Sequence, residues 1–457
     1  MRLSKVHVFG IFFIVISLCM PVLTCAQEIG TGGSKIFSLI DCIEIALKNN
    51  PEIGIAREGL KMSESGLLVS YGGLLPRFSL SFATGHRYYG PSSVQYDAQG
   101  RPVQQQGFDY GDYSFSLSSD ITLFDGGGNI NRIRSSINSR NASREELKYR
   151  KYIITAMVIR SYYNLVRNQM LLTVQEEAVE QAEKSLEKTE ALLEVGSATR
   201  ADVLKARVRH SNTRLNVITA RNAVLIAEEE LSALLNMRKS REVRVDTSLT
   251  IELIEPDPVA EIQYAMQNRS DLKSLSFSIK SAKQSVSAAK SGWIPSLGAS
   301  FGYYWNDRDM ADNLNFFEEE YMWNVTGYMR WNIFDGFLTS NNVNNARANY
   351  RITEYNMEKA KLDAVKEIKQ LILSINEARE RISVATETVE QAMEDLRVAE
   401  ERYRVGAGTM LEAIDAEVAL TQAKADVIDA KCDYLISSAD LYRATGRTIV
   451  DMKAMNR

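Results

Sequence analysis

The stretch RYRVGAGTMLEAIDAE, residues 402–417, interrupts a helical pattern that extends far on both sides of it. Gly406 and Gly408 break the pattern, and it resumes at once. A related stretch, LLEVGSATRADVLKAR, occupies residues 192–207. Between Asn129 and Val195 there is no Gly or Pro, and none between Phe337 and Val405. Roughly 67 helical residues would measure about 100 Å, beyond an ordinary globular helix. Ile368, Ile375, Ile382, Val389, Leu396 and Tyr403 step by seven, and so do Val158, Leu165, Leu172, Val179, Leu186 and Leu193. Beyond the breaks the step persists through Ala413, Leu420, Val427, Tyr434 and Leu441, and through Val203, His210, Val217, Val224 and Leu231. Ala378, Ala385, Ala392 and Ala399 fall three residues after their seam partners. Such a seam predicts helices that pack closely and coil about one another. The glycine breaks are then hairpin tips, where each long helix turns back on a shorter partner.

The chain is written twice. ALKNNPEI at 46–53 resembles AMQNRSDL at 265–272, an offset of 265 − 46 = 219. LLPRFSLSF at 74–82 and WIPSLGASF at 293–301 keep that offset. LFDGG from Leu123 and IFDGF from Ile333 stand 333 − 123 = 210 apart, as do the two tips. The length change therefore falls between the strand-opening proline and the FDG landmark, in a loop. The repeats span 37–236 and 257–446.

Four stretches alternate with period two. They are RFSLSFAT, YSFSLSSDITLF, SLGASFGYYW and WNVTGYMRWNIF, within 77–124 and 296–334. In each, apolar residues face small or polar ones, and each is long enough to cross a bilayer as a tilted strand. All four tryptophans (Trp293, Trp305, Trp323, Trp331) fall near strand ends, with Tyr88, Tyr89, Tyr110, Tyr303, Tyr304 and Tyr321 beside them. That distribution predicts the aromatic girdles of an outer-membrane barrel, against the alternative of a soluble sheet. Four strands leave open edges, which a bilayer does not tolerate. Several chains must therefore close the barrel, and three would give twelve strands with room for a passage.

With 54 basic and 58 acidic residues in 457, the net charge of -4 gives no sign of nucleic-acid binding. Arg2 and Lys5, the apolar run VFGIFFIVISLCM and small residues at Thr24 and Ala26 predict an export signal over 1–26, leaving 27–457 as the mature chain. Lipidation at Cys25 is the alternative. Cys42 and Cys432 would remain, read as buried thiols rather than a disulfide. The three histidines, His7, His86 and His210, have no metal-ligand spacing, and Gly126 to Gly128 lacks the Lys-Ser/Thr of a phosphate loop. An enzyme is not expected, and neither is a cofactor.

The duplicated plan, the proline that opens a strand, the FDGG that ends one and RYRVGAGTMLEAIDAE together resemble the TolC-like outer-membrane efflux protein family. The similarity covers essentially all of the mature chain. It implies an α+β membrane protein: a homotrimer whose four strands per chain build a twelve-stranded barrel in the outer membrane. The long coiled-coil helices, within 51–75, 126–236, 270–292 and 336–445, would form an α-barrel in the periplasm. Asp125 and Asp335 would cap helices where strands end.

The resemblance also implies a passive exit duct for small molecules, working with a periplasmic adaptor protein and an inner-membrane pump. The alternative is the duct of a type I protein secretion system. A non-conducting coiled-coil envelope protein is the reading of another class. Leu411, Glu412 and Asp415 match gate positions facing the lumen, where threefold copies would make acidic rings. Asp202 and Tyr403 match a latch between the tips. Gly196, Ser197, Thr199, Gly406, Gly408 and Thr409 would meet the adaptor. Gly408 stands where the family's arginine is expected, leaving Arg200 or Arg404 as its substitute. The acidic loop NDRDMADNLNFFEEE at 306–320 is expected outside the cell.

Overall fold

The computed structural model describes residues 36–91, 94–103, 107–237, 244–247, 249, 251–307 and 321–447. The expected export signal at 1–26 and most of the acidic loop, residues 308–320, lie outside them. The first repeat runs β1 (Ile36–Phe37), α1 (Leu39–Asn49), α2 (Pro51–Gly72), β2 (Arg77–Tyr89), β3 (Gln95–Tyr96), β4 (Pro102–Val103), β5 (Phe108–Phe124), α3 (Gly128–Glu194) and α4 (Arg200–Leu234). The second runs β6 (Arg244–Val245), α5 (Pro258–Asn268), α6 (Ser270–Lys290), β7 (Ser296–Asp307), β8 (Tyr321–Arg330), α7 (Leu338–Arg404) and α8 (Met410–Thr445).

The two long helices are each 67 residues, and their returning partners are 35 and 36. Absence of Gly and Pro lets the backbone ladder run on, and the seven-residue seam supplies the packing that a helix this long requires. Ile368, Ile375, Tyr434 and Leu441 are buried in one cluster, Val158, Leu165, Val224 and Leu231 in its counterpart. Cys42 and Cys432 are buried free thiols in separate clusters, and burial pushes them up to about 12 and about 11. The landmarks near residues 50 and 269 are helix breaks. Asn50 caps α2 by accepting from the Glu52 amide, with Pro51 in the first turn.

An ion network ties the helices of the second repeat together at that level. Arg269, only 7% exposed, donates to Asp271 (2.7 Å), to Glu367 (2.7 Å) and to the Ala444 carbonyl (3.0 Å). Arg443 meets the other oxygen of Glu367 at 2.6 Å. Burial pushes the Glu367 carboxyl up, but the two guanidinium groups outweigh it and hold it below its ordinary value.

The sheet is antiparallel, in the order β2-β5-β7-β8. Opposed residues share a face, so the register sorts its side chains. Leu80 pairs with Leu117, Phe82 with Phe115, Phe115 with Trp305, Tyr303 with Trp323 and Phe301 with Val325. One face is therefore apolar across all four strands. The other carries Ser79, Ser81, Ser114, Ser116, Ser118, Ser300 and Thr326. Tyr89, Tyr110 and Tyr304, expected among the girdle residues, stand on this second face.

Two local expectations are corrected. The last strand stops at Arg330, short of Ile333, because Arg330 pairs with Ser296 and the residue before Ser296 is Pro295. Proline has no N–H to continue the ladder. Asp125 and Asp335 are not the cap residues. Left-handed Gly127 and Phe337 hold those positions, and the carboxylates reach forward to the amides of Asn129 (2.7 Å) and Thr339 (2.9 Å).

Candidate functional site: the helix tips

Both long helices end the same way. Val195 and Val405 close the helices, and Gly196 (φ 77°) and Gly406 (φ 75°) then turn left-handed, a conformation that glycine adopts without strain. The amides of Ser197 and Ala198 return to the Leu192 carbonyl at 2.8 and 3.1 Å. Those of Ala407 and Gly408 return to Arg402 at 2.8 and 3.0 Å. Thr199 and Thr409 then start the returning helices as N-caps. All six tip residues expected to meet a partner thus lie in two equivalent turns.

The tips differ in where their acid goes. At the first, Asp202 closes a capping box: its carboxylate accepts from the Thr199 hydroxyl (2.7 Å) and amide (3.1 Å), while its own amide donates to Thr199 at 3.2 Å. The Thr199 hydroxyl thereby holds the Asp202 carboxyl below its ordinary value. At the second, the Glu412 amide donates to Thr409, but the Glu412 carboxylate faces Arg402 at 3.5 Å. Arg402 also donates to the Ala407 carbonyl at 3.2 Å. Gly408 sits against this pair; a Cβ there would lie 3.0 Å from the Arg402 side chain and 3.2 Å from Glu412. Arg402, which the sequence does not single out, is thus the arginine of the second tip. Arg404 turns to Glu401 at 2.8 Å.

Asp202 and Tyr403 are not joined in this protomer. Asp202 is engaged by its own cap, and the enclosed Tyr403 hydroxyl faces Thr189 instead. Burial raises the Tyr403 phenol, contact with Thr189 opposes the rise, and the nearby Asp202 charge adds to it.

On α8, Met410, Ala413, Ala416 and Glu417 are buried against the other helices, while Leu411 (53% exposed), Glu412, Asp415 and Val418 form the open face. The predicted gate residues therefore share one stripe. Sequence reasoning misses Glu417, which is 4% exposed with Arg209 at 3.5 Å. Burial raises its carboxyl above the ordinary value, and Arg209 opposes that shift. A cavity of about 250 Å³ adjoins the pair, lined in part by Gln181, Lys184, Thr421 and Lys424. The available signal is a carboxylate on the inward side of the α8 seam, between Ala413 and Leu420. Among the described residues no group of three or more His, Cys, Asp or Glu could hold a metal ion. No helix among them is long and apolar enough to cross a membrane.

Comparison with known proteins meets the same two-part plan. A family model described as outer membrane efflux protein matches residues 42–237 and 262–447. The toluene efflux pump outer membrane protein TtgC of Pseudomonas putida is 22% identical over 415 residues, 90% of this chain and 83% of that protein. The outer membrane protein TolC of Vibrio cholerae is 25% identical over 295 residues, 63% of this chain and 66% of that protein. The Campylobacter jejuni CmeC outer membrane channel shares the fold, with a TM-score of 0.77 at 18% identity, covering 92% of this chain and 89% of that one. One match in each repeat, with paired tips and a sheet between the helices, leaves a single conclusion: the chain belongs to the outer membrane efflux protein family and works in the bacterial outer membrane, extending into the periplasm.

Proposed function

We propose that this efflux protein is a passive, homotrimeric exit duct that takes small molecules from an inner-membrane pump, through a periplasmic adaptor, to the exterior. The observation that carries the reading is the sheet. One face is apolar across four strands, the other is small and polar, and β2 and β8 are open edges. A bilayer does not tolerate unpaired backbone, and three copies give 3 × 4 = 12 strands in a closed barrel. Exposed apolar residues on α4 support the same assembly: Leu204, Val208, Leu215, Ile218 and Leu225 are 54–66% exposed, left uncovered by the described helices of their own chain.

In the trimer, Leu411, Glu412 and Asp415 would be repeated around the axis at the periplasmic end as a constriction that attracts cations. Asp202 and Tyr403 would latch the tips in the closed state, and the tip turns would receive the adaptor. Residues 1–26 act as the export signal. Energy comes from the pump, since the duct itself needs only to open. The test is the native mass of the complex extracted from the outer membrane in detergent. Three chains are expected; a stable single chain, soluble without detergent, would sink the duct and leave a coiled-coil scaffold.

A further inference from the structure

The small, polar face of the sheet also carries aromatic rings. The register sets Tyr89, Phe108, Tyr110, Tyr304 and Tyr328 on it. Rings that anchor a barrel in lipid belong on the apolar face, where Tyr303, Tyr321 and Trp323 stand. The rings on the polar face therefore need another reason.

Two of them are seated in glycines. A Cβ on Gly298 would stand 2.5 Å from the Tyr328 ring, and one on Gly302 would stand 2.5 Å from the Tyr304 ring. Only glycine allows a ring to lie this close to the strand. Tyr304 is 41% exposed and Tyr328 36%. The Arg330 guanidinium lies over the Tyr328 ring, 5.7 Å from its centroid, and so occupies that ring as a planar cation would.

The other three form a slab at the end of the sheet farthest from the helices. Tyr89, Phe108 and Tyr110 stack with centroids 5.2, 6.0 and 6.1 Å apart and planes within 19° of parallel. Tyr89 and Phe108 remain about half exposed. Beside them on the same face, Asp112 pairs with Arg87 at 2.5 Å, and Arg87 also reaches the Tyr89 hydroxyl, so this ion pair adds no net charge and the holding is left to the rings. Four residues along β7 separate the two glycine seats, about 13 Å. Six residues along β5 separate Ser116, opposite Tyr304, from Tyr110, about 20 Å. The rings thus mark three levels from the helix end of the sheet to its far end.

We propose that these rings are binding stations for planar aromatic cations moving along the polar face, with the Tyr89–Phe108–Tyr110 slab as the last before the exit. Flat π faces hold a flat cation better than they hold a tetrahedral one of equal charge. The stations rest on the duct reading above, because only a passage brings solute to this face.

The test is single-channel recording of the full-length protein in a planar bilayer, with ethidium and tetrapropylammonium as blockers of equal charge. Ethidium is expected to block at about tenfold lower concentration than tetrapropylammonium, the size of one stacking contact. The combined Tyr89→Ala, Phe108→Ala, Tyr110→Ala variant should lose most of that difference. Tyr89→Phe with Tyr110→Phe should keep it, since the ring and not the hydroxyl does the holding. If the triple variant does not assemble, Tyr304→Ala and the wild-type comparison decide, with Tyr304→Ala expected to weaken ethidium block alone. A conducting channel that the two cations block equally, or whose ethidium block survives the alanine variants, overturns the stations and leaves the duct standing. A stable single chain, soluble without detergent, overturns both.

Discussion

Asp415 and Glu417 are two positions apart, and the helix turns them to opposite sides. Asp415 lies with Glu412 on the open stripe of α8; Glu417 is buried against Arg209. A buried charge pair is costly to break and cheap to replace as a whole. Arg209→Met should therefore destabilise the helical bundle by about 3 kcal/mol. Arg209→Met with Glu417→Leu should recover most of the loss, read as the denaturation midpoint of the helical circular dichroism. The pH dependence has a definite sign. Burial lifts Glu417 above its ordinary 4.5, so the packed helices hold its proton more tightly than opened ones. Its contribution favours packing as pH falls through the raised value and is lost as pH rises above it. The Arg209→Met defect should accordingly be smaller at about pH 5 than at about pH 8. A defect independent of pH would mean that the carboxyl is not what Arg209 compensates. For the open stripe, Glu412→Gln with Asp415→Asn should reduce the cation-to-anion permeability ratio several-fold while the trimer mass holds. An unchanged ratio would remove these two acids from the gate.

The helices were legible element by element, because a seven-residue step and the absence of Gly and Pro over some 67 residues admit few alternatives. The tips were legible for the same reason: only there does glycine interrupt the pattern. Their capping chemistry was not. Asp202 and Glu412 hold equivalent positions, yet one closes a box and the other turns to Arg402. Thr199→Ala should thus cost the first hairpin more than Thr409→Ala costs the second. The first loses a hydroxyl that both donates and accepts, the second one that serves a single amide at 3.2 Å. A difference of about 0.5–1 kcal/mol is expected, measurable as hydrogen-exchange protection in the first turns of α4 and α8. Equal losses would show that the box adds nothing. Strand ends were the weakest part of the reading. Alternation continues past Arg330 in the sequence, but the ladder needs a partner, and Pro295 ends it.

At the scale of the molecule, one chain leaves large apolar surfaces open. The apolar face of the sheet, its two open edges and the exposed residues of α4 are surfaces that one chain leaves uncovered among the described residues. Leu215→Glu with Ile218→Glu should lower the native mass from three chains to one without reducing helix content, because both side chains are exposed in the single protomer. Retention of the three-chain mass would place the assembly contacts elsewhere.

The sequence by itself determined the duplication, the four long helices, the two tips and the alternation of four strands. Each is a periodic or local property, repeated often enough to stand above noise. Leu411, Glu412 and Asp415 came from the family resemblance, and the structure places them on one open stripe beyond the second tip. Only the tertiary structure decided that the serine faces of the four strands lie side by side and that Tyr89 stacks with Phe108 and Tyr110, because strand register depends on pairing between segments as distant as β5 and β7. Only the tertiary structure decided that Glu417 meets Arg209 and that Arg402, not Arg404, reaches Glu412. Those choices depend on how two hairpins pack, and packing joins residues that no spacing along the chain connects.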